Sequence, residues 1–257
     1  MDNRLGIGIA CFVLSGGALM GCSEKVERIG IIGAMDEEIV HLKESANIRQ
    51  SKEIASMEFH LGSLGKKEVV VVKCGMGKVN AGICASTLIR EFGCAKVINT
   101  GVAGSLDSKM DIGDIVVSTD AVQHDYDVSS IGFAKGEIPY TGRYAFPADE
   151  ALRKAAVDAA KDVAPEVNVH EGRVCSGDQF ISTISQKDAI TSSFGGLCCE
   201  MEGAAIAQAC YLFKTPFVVI RAISDKPDGA GAVDFESFKV GAALRCSKIV
   251  KRMVESL

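Results

Sequence analysis

Short, nearly unbroken apolar runs alternate along this chain with longer stretches of helical spacing. Residues 26–33 are continuously apolar, the pattern of a strand covered on both faces. Residues 36–45 read as a short helix opened by Asp36, Glu37 and Glu38, acids that the helix dipole favours in a first turn. Residues 57–62 alternate with period two and residues 68–74 are β-branched; Gly65-Lys66 between them predicts a hairpin. Val79, Ile83, Leu88 and Phe92 lay an apolar stripe along a helix over 78–92. Short strands are expected over 96–99 and 114–118. Residues 124–148 keep no period and carry Gly132, Gly136, Pro139, Gly142 and Pro147, the make-up of a long functional loop. An Ala-rich helix over 149–163, a strand over 168–175, a helix over 202–213, a strand over 217–223 and a closing helix over 234–256 complete the pattern. Such alternation predicts an α/β fold, and the early hairpin makes its central β-sheet mixed rather than wholly parallel.

The chain has 257 residues, no internal repeat and no low-complexity tract, enough for one large core flanked by helices in a single domain. Its first residues change the picture. Leu5 to Met20 is apolar and rich in small residues, and Leu19-Met-Gly-Cys22 resembles a lipobox, with a small residue before a cysteine that is lipidated after cleavage. Residues 1–21 therefore read as a lipoprotein-type signal peptide and residues 22–257 as the mature domain. An acyl chain on Cys22 would hold that domain to a periplasmic or cell-surface membrane without inserting the fold; without use of the leader the protein would be cytoplasmic. Cysteine usage points the other way. Outside the leader and lipobox, eight of the ten cysteines lie in apolar patterns, as in a reducing compartment. No Cys/His spacing suits a metal.

The net charge of −5, with no Trp and 6% aromatic residues, offers neither the basic face nor the stacking platforms of a nucleic-acid binder. A small molecule is the expected partner. Candidate chemistry lies in carboxylates placed after strand-like runs: Glu38, Glu202 and Asp225. In an open α/β sheet the carboxyl ends of strands line the ligand crevice. Asp36 and Glu37 are read as plain helix-start acids. Asn99-Thr-Gly-Val-Ala-Gly-Ser105 is read as a glycine turn after a strand, open to close ligand approach. Phe180, in Ser176-Gly-Asp-Gln-Phe-Ile181, taken alone reads as core packing rather than a ring partner for a planar base. Arg221 sits inside a buried-strand pattern and needs a partner; Glu200 and Glu202 both qualify.

Six segments in order, Ile29-Gly-Ile-Ile-Gly-Ala-Met-Asp-Glu-Glu38, Asn99-Thr-Gly-Val-Ala-Gly104, Gly113-Asp-Ile-Val-Val-Ser118, Ser176-Gly-Asp178, Glu200-Met-Glu202 and Arg221-Ala-Ile-Ser-Asp225, together resemble the bacterial 5′-methylthioadenosine/S-adenosylhomocysteine nucleosidases of the purine nucleoside phosphorylase-like superfamily. The resemblance runs from about Ile29 to Leu257. It implies a homodimeric N-glycosyl hydrolase that needs no metal or organic cofactor. It further implies that Glu38 activates water, that Asp225 protonates the purine, and that Met201 and Glu202 bind the ribose. Phe180 and Ile181 would form the adenine pocket, supported by Ser224 and Arg221. Phe235 would close over the 5′ substituent, and Ile131 and Pro139 would reach the neighbouring subunit's site. Val102 stands where some members carry Ser. Protonating N7 requires an acid that keeps its proton near neutral pH, which burial favours, while Glu38 would stay ionised. The rivals are a nucleoside phosphorylase of the same fold, although its phosphate-holding arginines are replaced here by Asp36-Glu37-Glu38, and a non-catalytic nucleoside-binding or adhesion lipoprotein.

Overall fold

The computed structural model describes residues 27–226 and 231–257; the leader and Cys22 lie outside them. Strand β1 (Arg28–Gly33) turns directly into α1 (Asp36–Ser45). An edge strand β2 (Asn47–Ile54), β3 (Met57–Leu64) and β4 (Lys67–Lys73) follow, then α2 (Lys78–Arg90). Next come β5 (Cys94–Ser105), β6 (Ile115–Gln123), the two-residue β7 (Phe146–Pro147) and α3 (Glu150–Val163). The chain closes with β8 (Val169–Ser176), α4 (Ile184–Phe194), β9 (Cys198–Glu200), α5 (Gly203–Phe213), β10 (Phe217–Asp225) and α6 (Gly231–Ser256).

The sheet is mixed, as the alternation predicts, and part of it closes on itself. β10 pairs with β5 in parallel and with β6 antiparallel; β6 pairs with β8, β8 with β9, and β9 returns antiparallel to β5. β1, β4, β3 and β2 extend outward from β5. Period-two alternation splits β1 between two cores: Ile29 and Ile31 face one and Ile32 the other. On one side α1, α3 and α6 cover the sheet with Leu42, Leu152 and Ile249. On the other, α2 and α5 pack small residues (Ala81, Cys84, Ala204, Ala207) that bring helix and sheet close. All eight cysteines of the described residues are free and buried, as expected of small apolar fillers.

One expectation needs correction, and two elements carry none. The segment Asn99 to Ser105 is not a turn after a strand but the buried second half of β5, a 12-residue strand. Its glycines make room for neighbouring side chains: a Cβ on Gly101 would lie 2.2 Å from Arg221 Nη1 and 2.3 Å from Glu38 Oε1, and one on Gly104 would lie 2.8 Å from Asp225 Oδ2. Strand β2 is polar and exposed, so it carries no apolar period; pairing with β3 alone defines it. Helix α4 was also not expected, although a signal is present: Thr183 caps it, bonded reciprocally with Gln186, and Ile190 and Phe194 are buried.

Candidate active site

The first carboxylate is set by the way α1 begins. Met35 has extended backbone at the N-cap, and Glu38 three residues on folds back over the helix start. Its Oε2 accepts from the Ala34 and Met35 amides at 2.6 and 3.0 Å, and its Oε1 accepts from the Val102 amide of β5 at 3.0 Å. Glu38 is only 2% exposed. Burial raises its pKa, against the opposing pull of Arg221 and the three amides.

Arg221 projects from the middle of β10 and is fully buried. It donates to Asn99 Oδ1 at 2.6 Å and to Glu200, and lies 3.7 Å from Glu202 Oε2 and 4.0 Å from Glu38 Oε1. Glu200, of the two candidates, is the hydrogen-bonded partner. Burial works against the arginine's charge, but Glu200, Glu202 and Glu38 more than offset it and raise its pKa. One cation thus serves three carboxylates. Glu200 is further held by Ser176 Oγ and by the amides of Glu202 and Gly203 at the start of α5. Glu202 accepts from the Gly77 amide at 2.9 Å; burial, then the charge on Glu200, push its pKa up to about 8.

Asp225 ends β10 and is 2% exposed. Ser224 Oγ lies 3.1 Å from Oδ1, and Lys187 Nζ donates to Oδ2 at 2.7 Å. Burial raises its pKa although Lys187 pulls it down.

These acids open onto one cavity with about 560 Å³ of empty space including its mouth, a size suited to a small organic ligand. Glu38, Glu202, Asp225, Ser224, Met201, Val102, Phe180, Ile181 and Phe235 all line it. Glu38 adjoins Gly101 and Asp225 adjoins Gly104, three residues or roughly 10 Å apart along β5. Glu202 arrives differently from the other two. It follows β9, which runs against β5, so the register (Cys199 opposite Gly104) carries the chain back toward the middle of β5.

Phe180 is not core: it is 48% exposed and meets Phe235 edge-on, with ring centroids 5.5 Å apart. Arg221 does not line the cavity but stands behind the glutamates, because a buried guanidinium is spent on its ion pairs. Ile131, 71% exposed, and Pro139 lie in the irregular segment away from the cavity lining of this chain. Sequence reasoning passed over Met35, Met76 and Gln179 in the lining, and Lys187 on Asp225. Lys187 had no visible signal without α4. Among the described residues no Lys, Arg or His lines the cavity, and no group of His, Cys, Asp and Glu could hold a metal.

The family model described as the phosphorylase superfamily matches residues 28–255. The 5′-methylthioadenosine/S-adenosylhomocysteine nucleosidase of Staphylococcus epidermidis is 42% identical over 230 residues, 89% of this chain and all of the relative; that of Shewanella loihica is 41% identical over 90% of this chain and all of the relative. Among solved structures, the nucleosidase of Neisseria meningitidis in complex with methylthio-immucillin-A aligns with a TM-score of 0.86 and 37% identity over 90% of this chain and all of that one. Futalosine hydrolase of Helicobacter pylori aligns at 0.85 and 34%, over 90% and 99% of the two chains. With relatives so similar along nearly their whole length, this chain belongs to the phosphorylase superfamily and, within it, to the 5′-methylthioadenosine/S-adenosylhomocysteine nucleosidases.

Proposed function

We propose that this chain hydrolyses the N-glycosidic bond of 5′-methylthioadenosine and S-adenosylhomocysteine, and of 5′-deoxyadenosine, releasing adenine and the 5′-substituted ribose. The observation that carries the residue roles is an acid and a base lining one cavity that no basic side chain among the described residues enters. Asp225 gives its proton to N7 of the purine, so the base departs neutral as the C1′–N9 bond breaks. Burial raises the pKa of Asp225, the direction that holding such a proton requires. Glu38 takes a proton from water as the water oxygen bonds to C1′. A raised pKa makes it a stronger base than a solvated glutamate, and Arg221 with the three amides favours the ionised form it needs. Glu202 accepts from the ribose hydroxyls beside Met201, adding electron density to the sugar as positive charge grows on it. Phe180 and Ile181 face the adenine ring, and Phe235 the 5′ substituent.

A phosphorylase would need cations for its phosphate. The cavity instead presents Glu38, Glu200 and Glu202 around an arginine already committed to them. Incubation of the purified chain with methylthioadenosine, with and without phosphate, tests the reading: adenine is released in both. Release that requires phosphate favours the phosphorylase, and none at all favours the non-catalytic binder.

We further infer a homodimer. Val79 and Ile83 on α2 and Leu212 and Phe213 on α5 leave an apolar face exposed, and Ile131 and Pro139 would then approach the neighbour's cavity. Sedimentation of the wild type as a dimer and of V79K/L212K as a monomer supports it; a monomeric wild type refutes it. The apolar run Leu5 to Met20 and the lipobox Leu19-Met-Gly-Cys22 support anchorage through Cys22. Among the described residues no helix is long and apolar enough to cross a membrane. Mass spectrometry of the native amino terminus detects the acyl chain on Cys22, or finds the leader intact.

A further inference from the structure

Lysine is almost never fully buried unless paired, and Lys187 is 1% exposed. It reaches from α4 to the end of β10. There its Nζ donates to Asp225 Oδ2 and to the Lys226 carbonyl, both at 2.7 Å. Nothing in the packing of α4 demands an amine, because its other buried residues, Ile190 and Phe194, are apolar. A buried ammonium is costly in such surroundings, and here it touches the one carboxylate assigned as the acid. Among the described residues, the other charged or titratable groups facing this pair are Cys199 on β9, Asp234 on α6 and Lys226, whose own Nζ bonds Asp111; Ser224 adds a hydroxyl.

We propose that Lys187 is a positioning residue for the acid: it holds Oδ2 of Asp225, leaves Oδ1 to deliver the proton, and neutralises the carboxylate that delivery creates. The inference rests on the nucleosidase reading. In the step itself the Oδ1–H bond breaks as N7–H forms, the C1′–N9 electron pair leaves with the purine, and Lys187 keeps its protons. The ammonium is worth little while Asp225 is protonated and most once Asp225 is charged. It therefore favours the product side of the transfer, which is where an electrostatic contribution speeds a reaction. Ser224 complements it, since its hydroxyl has the Ala103 carbonyl at 3.3 Å as an alternative acceptor when Oδ1 carries the proton.

The test is the pH dependence of adenine release from methylthioadenosine by the full chain and by K187M, K187Q and K187R. Loss of the ammonium leaves Asp225 a weaker acid. In K187M the alkaline limb of kcat moves up by about one pH unit or more. The plateau of kcat drops about tenfold or more, and KM changes by less than about threefold, because substrate contacts are untouched. K187Q, which keeps a hydrogen-bond donor in a similar volume, shifts the limb in the same direction, and K187R brings it back toward the wild type. A limb that stays in place in both neutral variants, or a loss expressed in KM rather than kcat, overturns the role. An inactive wild type would instead sink the nucleosidase reading beneath it.

Discussion

Replacing Glu38 by Gln separates the chemical role of this residue from its structural one. The carboxylate accepts three backbone amides, two on Oε2 and one on Oε1. An amide side chain offers only one acceptor atom, so whichever way Gln turns, its NH₂ faces at least one N–H donor. Leaving a buried donor unsatisfied costs about 1–3 kcal/mol. The same change removes a buried charge 4.0 Å from Arg221, and the relief from desolvation partly offsets that cost. A net loss of about 1–2 kcal/mol is expected, hence a midpoint lower by roughly 2–8 °C for a domain of this size. E38Q should therefore stay folded at 25 °C, with its far-UV circular dichroism unchanged. Its kcat should fall about 10²–10⁴-fold, the ordinary worth of a general base. The assay pairs thermal melting with adenine release under saturating methylthioadenosine. A folded E38Q that turns over within a few-fold of the wild type would remove Glu38 from the base role, whatever its stability.

Other outcomes follow from the same contacts. G101A places a methyl between Arg221 and Glu38, whose atoms lie 2.2 and 2.3 Å from the new Cβ; about 1–3 kcal/mol of overpacking and a kcat at least tenfold lower are expected, and a fully active variant would show that their spacing is unimportant. R221M leaves Glu38, Glu200 and Glu202 without their cation and should cost about 3–5 kcal/mol in denaturant unfolding; an unaltered midpoint would mean that the cluster does not depend on the guanidinium. The pH profile of kcat should be bell-shaped, with an acid limb from Glu38 above the ordinary glutamate value of 4.5 and an alkaline limb from Asp225. E202Q bears on stability as well as binding. The folded state holds the Glu202 proton more tightly than the unfolded chain, so its contribution is present below about 4.5 and is lost as pH rises through about 8. The variant should flatten the fall in stability across that window and raise KM; an unchanged slope would place the proton elsewhere.

Much of the architecture was legible because it is written in local period. The unbroken run of β1, the hairpin of β3 and β4 and the stripe of α2 each depend on neighbours a few residues away. β2 and α4 were missed for opposite reasons: β2 is an exposed edge strand with no apolar face to leave a trace, whereas α4 announces itself only through its Thr183–Gln186 cap. Glu38, Glu202 and Asp225 stood out as acids after apolar runs, and all three meet in one cavity. Phe180 taken alone read as core, since aromatic character does not say whether a ring packs inward or lines an opening; only the resemblance put it in the pocket.

By itself, then, the order of residues determined an α/β chain with a mixed sheet, the segments that carry the acids, and membership of its family, because helix and strand period and motif spacing are local quantities. Tertiary structure decided which acids share a cation, that the glycines of β5 are spaces for Arg221, Glu38 and Asp225 rather than bends, and that a lysine 38 residues away in sequence lies against Asp225. Burial and charge pairing depend on groups distant along the chain, and the closed ring of β5, β10, β6, β8 and β9, with β1–α1 and α4 packed on it, brings those groups within hydrogen-bonding distance.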